Sequence, residues 1–105
     1  MVRGEVFRLP DQGGRGHVQR GRRFAVVVQA DELLALSTVI VAPTSTRASA
    51  ASFRPQIDLG RESTRVLADQ VRVVDASRLG RSAGRLSAAE IRAVDEALEL
   101  VLALG

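Results

Sequence analysis

Two short segments of the 105-residue chain carry the residue types that can act on a phosphodiester. In the first, Arg22 and Arg23 follow a glycine and run directly into the apolar stretch at residues 24–28. In the second, the apolar stretch at residues 38–42 stops at a proline and is followed by three hydroxyl side chains, Thr44, Ser45 and Thr46. Guanidinium groups suit bidentate contacts with phosphate, and hydroxyls donate hydrogen bonds to its oxygens. If both apolar stretches are buried strands, the chain has the groups needed to hold and cut a phosphodiester.

The composition excludes several other kinds of chemistry. Cysteine is absent, which rules out disulfides, thiol nucleophiles and zinc–thiolate sites. His17 is the single histidine, so one chain cannot build a two-histidine acid/base pair. All 15 basic residues are arginine. This fits either a GC-rich codon usage or the use of planar guanidinium groups for bidentate binding of phosphate, and composition leaves both interpretations open.

The charge is distributed unevenly along the chain. Residues 1–29 contain six arginines against Glu5 and Asp11, whereas residues 86–105 contain one arginine against four acidic residues. Together with a pI near 11.2, this basic N-terminal region predicts a polyanionic ligand, with nucleic acid as the expected class. There are only three aromatic residues, so base stacking on aromatic platforms is expected to contribute little.

The length of the chain predicts a single domain over residues 1–105. No apolar run is long enough to cross a bilayer, and no segment has the pattern of a signal peptide. We therefore expect a cytoplasmic location.

The order of predicted elements indicates a mainly β protein with α (α+β). Strands are predicted at residues 4–9, 24–29, 37–42, 53–57, 65–68 and 70–74, with a loop at 10–21 and a short turn or helical piece at 31–36. Ser87 and Glu90 have the spacing of a capping box, which predicts a helix from that point. Its apolar stripe comprises Ile91, Val94, Leu98, Val101 and Leu102. We expect a small, curved antiparallel sheet or barrel closed by this C-terminal helix.

Five segments, in this order, resemble the motifs of the MazF/PemK-like toxins of type II toxin–antitoxin systems. They are Arg3-Gly4-Glu5-Val6, Gly21-Arg22-Arg23-Phe24-Ala25-Val26-Val27, Val41-Ala42-Pro43-Thr44-Ser45-Thr46, Leu67-Ala68-Asp69-Gln70-Val71-Arg72, and the ending from Leu79-Gly80 through Gly84-Arg85-Leu86-Ser87. The resemblance implies an SH3-like barrel of the kind shared with CcdB toxins, working as a homodimer. It also implies a sequence-preferring endoribonuclease that needs no metal or other cofactor, cuts single-stranded RNA, and is inhibited by an antitoxin with an acidic, partly disordered segment.

The resemblance also assigns roles to particular residues. Arg23 takes the position of the family's catalytic arginine, and Ser45 takes the hydroxyl position that partners it. RNA contacts are expected from a further set of side chains: Arg15, His17, Gln19, Arg20, Arg22, Thr44, Thr46, Asp69 and Gln70. Other interpretations stay open: the hydroxyls can close a strand-end turn, the loop arginines can be solvated, and Asp69 can cap a turn or pair with Arg23.

Two positions depart from the family pattern. Val18 stands where the family often has a glutamate that is a candidate base, and Phe24 stands where proline usually follows the arginine. His17, whose ordinary pKa lies near 6.5, is one replacement for the missing base, and a solvated loop histidine is the other interpretation. The loss of the carboxylate leaves two alternatives to the nuclease: a CcdB-like toxin that binds a protein such as DNA gyrase, and an inactive family member that binds the antitoxin.

Overall fold

The computed structural model describes residues 1–10 and 23–105 of the chain. Within that part it contains short 3₁₀ turns at Asp31–Leu33, Ala68–Gln70 and Ala76–Arg78, and one α-helix, α1, at Ala88–Leu102. The strands are β1 (Glu5–Leu9), β2 (Arg23–Val27), β3 (Thr38–Ser45), β4 (Gln56–Leu59), β5 (Glu62–Val66), β6 (Arg72–Asp75) and β7 (Ser82–Arg85). No helix among these residues is long and apolar enough to cross a membrane.

The described strands form one antiparallel sheet in which β3 is the central element. The order across the sheet is β4-β5-β3-β2-β1-β7, and β6 also pairs with β3. Along one side β3 pairs with β2, and along the other it pairs first with β6 and then with β5. The sheet is thus curved and nearly closed into a barrel, with α1 as the C-terminal element. The predicted fold class is confirmed.

Apolar side chains fill both faces of the central strands. The larger cluster lies between the sheet and α1 and includes Val6, Val26 and Ile57 from the sheet and Val94 and Leu98 from the helix. The second cluster lies on the opposite face and contains Leu9, Ala25, Val27, Val39 and Val41. Because both faces of β2 are covered, its sequence is almost continuously apolar instead of alternating.

The predicted capping box is present at the start of α1. The Ser87 hydroxyl accepts a hydrogen bond from the Glu90 N–H (3.1 Å), and the Glu90 carboxylate accepts one from the Ser87 N–H (2.8 Å). The other carboxylate oxygen of Glu90 accepts from the Asp58 N–H (2.8 Å), which ties the helix start to β4. Leu102 of the predicted apolar stripe does not join the core of this chain: its side chain is 50% exposed, because it lies in the last turn beyond the sheet-facing residues.

The Arg3-Gly4-Glu5 segment joins three parts of the fold. The Arg3 guanidinium lies 2.7 Å from a carboxylate oxygen of Asp95 in α1. The Glu5 carboxylate accepts a hydrogen bond from the Ser82 hydroxyl of β7 (2.7 Å), which is the main reason that the pKa of Glu5 is lowered. Gly4 between them is buried and has φ +89°, a backbone conformation that residues other than glycine rarely adopt. The contacts of the Arg3-Gly4-Glu5 segment with α1 and β7 therefore account for its three residue types.

The predicted end of β3 at Pro43 is wrong, because the strand continues to Ser45. The Pro43 carbonyl accepts a hydrogen bond from the Leu67 N–H (2.8 Å), on the side where the neighbour of β3 changes from β6 to β5. Proline has no N–H to donate, and at this junction no strand needs one. The strand therefore passes through the proline and carries Ser45 within the sheet.

Other boundaries also differ from the predictions. Strand β2 ends at Val27, and Gln29 instead uses its buried side chain to bind the Leu33 carbonyl (2.8 Å) and the Ile40 N–H (3.0 Å).

The strands predicted at 53–57 and 65–68 lie at β4 and β5, whose tight turn uses Gly60 at φ +62°. Strand β6 starts two residues later than predicted, because a 3₁₀ turn occupies Ala68–Gln70. Strand β7 was missed because all four of its residues are exposed and show no apolar alternation.

Candidate active site

Arg23 and Ser45 lie at the same end of the neighbouring strands β2 and β3. The register pairs Ala25 with Pro43, and Arg23 and Ser45 each lie two residues beyond this last pair on their own strand. A hydrogen bond from the Thr44 hydroxyl to the Phe24 carbonyl (3.2 Å) holds this end of the two strands together. Because side chains alternate along a strand, Arg23 shares a face with Ala25 and Ser45 shares a face with Pro43. The fold thus brings the two predicted catalytic side chains together.

The Ser45 hydroxyl is held in place and still has a proton to donate. Its oxygen accepts a hydrogen bond from the Arg47 N–H (3.2 Å), a local turn contact of the kind that the alternative interpretation expects. A serine hydroxyl has one O–H donor besides its two acceptor sites. The turn contact therefore orients Ser45 and leaves its O–H for a ligand oxygen.

The neighbouring threonines are placed differently from Ser45. Thr44 uses its hydroxyl on the Phe24 carbonyl, and strand alternation directs it to the face opposite Ser45. Thr46 follows the last residue of β3 and is exposed. Of the three predicted hydroxyls, Ser45 is therefore the one that shares a face with Arg23.

Asp69 pairs with an arginine that the sequence interpretation did not consider. Its two carboxylate oxygens accept hydrogen bonds from Nε (3.2 Å) and Nη2 (2.9 Å) of Arg54. These bonds are the main reason that the pKa of Asp69 is lowered, so the carboxylate stays ionised at neutral pH. The alternative in which Asp69 forms an ion pair with Arg23 is therefore corrected: among the described residues its partner is Arg54.

Gln70 is exposed at the end of the same 3₁₀ turn. The turn is anchored by the Leu67 N–H, which donates to the Pro43 carbonyl (2.8 Å), and by the Gln70 N–H, which donates to the Leu67 carbonyl (2.9 Å). The turn is thus attached to the same part of β3 that leads to Ser45. The base contacts predicted for Asp69 and Gln70 stay predictions.

Five predicted RNA-binding residues lie outside the described part of the chain. They are Arg15, His17, Gln19, Arg20 and Arg22, all in the segment between β1 and β2. The segment ends directly before Arg23, and Arg23 pairs with Leu9 at the end of β1. The RNA contacts predicted for these five residues therefore stay predictions.

The structure adds Arg65 and Arg54 to this region. Arg65 on β5 is the direct cross-strand partner of Ser45, and on its other side it pairs with Gln56 of β4. Its Nη1 donates to the Arg54 carbonyl (2.8 Å). The Arg54 guanidinium lies 5.3 Å from the centre of the Phe53 ring, a cation–π contact. The one signal available from sequence is that Arg65 is a charged residue within a predicted strand, whereas its neighbours depend on the β3–β5 register.

The face carrying Ser45 has an excess of positive charge. In the part of the chain that the structure describes, neither Arg23 nor Arg65 forms an ion pair, whereas Arg54 is neutralised by Asp69. Two guanidinium groups thus flank one hydroxyl in a row across β2, β3 and β5. Such a row can bind the oxygens of a phosphate and stabilise negative charge that develops on them.

Comparison with known proteins identifies the family. Residues 2–102 match the family model described as PemK-like, MazF-like toxin of type II toxin-antitoxin system. The chain is 35% identical over 117 residues to endoribonuclease MazF9 of Mycobacterium tuberculosis, covering 99% of this chain and 98% of that protein.

Solved structures agree with this assignment. A mycobacterial endoribonuclease in complex with its cognate antitoxin superposes with a TM-score of 0.84 at 20% identity, over 100% of this chain and 97% of that one. MazF of Deinococcus radiodurans gives a TM-score of 0.78 at 27% identity, over 98% and 96% of the two chains. The resemblance inferred from the five motifs is confirmed, and the chain belongs to the PemK-like, MazF-like toxins of type II toxin–antitoxin systems.

Proposed function

We propose that the protein is an endoribonuclease toxin that cuts single-stranded RNA, with mRNA as the target class, at preferred sequences and without a metal ion. The proposal rests on Arg23 and Ser45, which lie at the same end of the neighbouring strands β2 and β3. The name of the 35%-identical relative, endoribonuclease MazF9, supports the reaction class. Because the substrate is RNA, we place its action in the cytoplasm.

The reaction begins when the ribose 2′-OH attacks the adjacent phosphorus. The new bond joins O2′ to phosphorus and the bond to O5′ breaks, which gives a 2′,3′-cyclic phosphate and a free 5′-OH. The proton of the 2′-OH passes to a base, and the leaving O5′ takes up a proton. The groups at the site must therefore stabilise a phosphorane and assist two proton transfers.

Arg23 and Ser45 supply the electrostatic part of this reaction. The Arg23 guanidinium is charged at every relevant pH, so it stabilises the phosphorane and cannot act as the base. The Ser45 O–H donates to a non-bridging oxygen, with its own oxygen held by the Arg47 N–H. His17 is the base that the sequence offers in place of the glutamate missing at Val18.

We assign the toxin two protein partners, an antitoxin and a second copy of itself. An acidic, extended antitoxin segment would lie over the row that contains Arg23 and Arg65, where its carboxylates meet two guanidinium groups unpaired within the described chain. Apolar side chains left exposed at the end of α1 would be covered in a homodimer. They are Leu100 (58% exposed), Leu102 (50%) and Leu104 (69%).

Growth arrest on expression in a bacterial host tests the nuclease against the alternatives. The double substitution of Arg23 and Ser45 to alanine should abolish arrest, whereas Arg61→Ala in the exposed β4–β5 turn should leave it unchanged. Arrest that survives the double substitution at equal protein level would reject the nuclease and favour a protein target such as DNA gyrase. A wild-type protein that causes no arrest but binds the antitoxin would identify an inactive family member.

A further inference from the structure

Arg65 is positioned to contact the same ligand as the Arg23–Ser45 pair. It is paired with Ser45 in the β3–β5 register, so the two side chains emerge on one face of the sheet. Arg23 and Arg65 are separated by two strand-to-strand spacings, which amounts to about 10 Å between their backbones. Ser45 lies between them. A ligand that contacts both Arg23 and Ser45 and continues in the same direction across the sheet therefore reaches Arg65 on β5.

The contacts of Arg65 hold its guanidinium without neutralising it. Its Nη1 donates to the Arg54 carbonyl (2.8 Å), the single hydrogen bond of that side chain within the described part of the chain. Four further N–H groups remain for a ligand, since a guanidinium has five. No carboxylate among the described residues pairs with it. Arg65 is thus half-buried, oriented and charged.

The Arg54–Asp69 ion pair supports this orientation. Asp69 takes two hydrogen bonds from Arg54, so the segment that offers the Arg54 carbonyl to Arg65 is attached to the 3₁₀ turn at Ala68–Gln70. Asp69 also neutralises the charge of Arg54, so among these two arginines Arg65 is the one that offers an unpaired positive charge beside Ser45 within the described part of the chain. The two arginines therefore have different roles: Arg54 holds the backbone segment whose carbonyl binds Arg65, and Arg65 is available to bind the ligand.

We propose that Arg65 binds the RNA phosphate next to the one that is cut, as a substrate-binding residue for the reaction proposed above, on which this inference rests. Arg23 lies on β2 and Arg65 on β5, on opposite sides of β3, so an RNA strand whose scissile phosphate contacts Arg23 and Ser45 can bring a neighbouring phosphate to Arg65. A contact that is the same in the ground state and the transition state lowers KM without raising kcat. Arg65 should therefore govern affinity for RNA, whereas Arg23 governs the chemical step.

The test measures binding of a fully 2′-O-methylated, random-sequence 20-nucleotide RNA, which has no 2′-OH to attack, by fluorescence anisotropy at several salt concentrations. Arg65→Gln keeps an amide N–H for the Arg54 carbonyl and removes the charge. It should raise Kd about tenfold at low salt and make the slope of log affinity against log salt shallower by about 0.7, the value for one phosphate contact on a single strand. Arg65→Lys, which keeps the charge, should retain the wild-type slope. Arg61→Gln, in the turn of the same hairpin, should change neither quantity.

Cleavage kinetics on a long natural RNA complete the test. Arg65→Gln should raise KM with kcat within about twofold of wild type, whereas Arg23→Ala should lower kcat. An unchanged salt slope in Arg65→Gln, or a Lys variant that behaves like the Gln variant, would overturn the assignment of Arg65 while leaving the nuclease intact. A wild-type protein that neither binds the modified RNA nor cuts the natural one would instead overturn the proposed function, and Arg65 with it.

Discussion

Replacement of Gly4 by alanine should destabilise the fold for two separable reasons. The first is conformational, because φ at Gly4 is +89° and an L-residue there costs about 1–2 kcal/mol. The second is steric, because a Cβ at this position would lie 2.8 Å from Cδ1 and 3.1 Å from Cγ1 of Ile91 in α1. Cδ1 is the end of a side chain, so Ile91 can shift at about 0.5–1.5 kcal/mol. We expect a total loss of about 1.5–3.5 kcal/mol in the free energy of unfolding.

A double-mutant cycle separates the two contributions. Ile91→Val removes the Cδ1 atom and alone should cost about 0.5–1.5 kcal/mol. In the double variant the closest contact, to Cδ1, is gone and the 3.1 Å contact to Cγ1 remains, so Gly4→Ala and Ile91→Val should be less than additive by about 0.5–1 kcal/mol. Gly60→Ala is the matched control, because Gly60 also has positive φ (+62°) but nothing lies within 4 Å of its added Cβ. It should cost about 1 kcal/mol and add independently to Ile91→Val.

Urea unfolding at a fixed protein concentration measures all of these free energies on one scale. A loss below about 0.5 kcal/mol in Gly4→Ala would refute the reasoning as a whole. Full additivity of Gly4→Ala with Ile91→Val would refute the contact between β1 and α1 while leaving the conformational argument in place. A change in the urea midpoint reports a change in the free energy of unfolding only if the m-value of the variant equals that of wild type.

Two further predictions concern the ion pair and the assembly. Arg54 lowers the pKa of Asp69 in the folded state, so the stabilisation by Asp69 is present above the unfolded pKa near 3.9 and is lost as the pH falls through the folded pKa. The difference in unfolding free energy between wild type and Asp69→Asn should therefore be largest near pH 6–7 and shrink towards pH 3, as urea titrations would show; a constant difference would contradict the pairing. Sedimentation equilibrium should find a dimer that Leu100→Glu or Leu104→Glu converts to monomer, with Arg61→Glu still dimeric, and dimers in all three variants would exclude the end of α1 as the interface.

The parts of the fold that were predictable from sequence are those that depend on local patterns. The Ser87–Glu90 capping box fixed the start of α1, because both of its hydrogen bonds join residues three apart. The apolar runs gave β2 and most of β3, since strands covered on both faces leave a continuous signal. Strand β7 gave no such signal, because its four exposed residues are held by pairing with β1.

The candidate site divides in the same way. The motifs identified Arg23 and Ser45 without any knowledge of their geometry, and the pairing of β2 with β3 brings the two residues to the same end of neighbouring strands. Arg65 could not be found from sequence, because its position beside Ser45 depends on β3 changing its neighbour from β6 to β5 at Pro43. The partner of Asp69 was missed for a related reason: β4 begins only at Gln56, so Arg54 lies in an irregular segment and not in the strand predicted at 53–57.

The most direct test of the nuclease is to incubate the purified protein with a long single-stranded RNA in EDTA and to map the ends that form. We predict cuts at a short recurrent sequence, with 2′,3′-cyclic phosphate and 5′-OH ends. The rate should fall by about 10²–10³ in Arg23→Ala, as expected when one group that stabilises the transition state is lost. RNA that stays intact at a large excess of protein, or cleavage that proceeds equally in Arg23→Ala, would contradict the account.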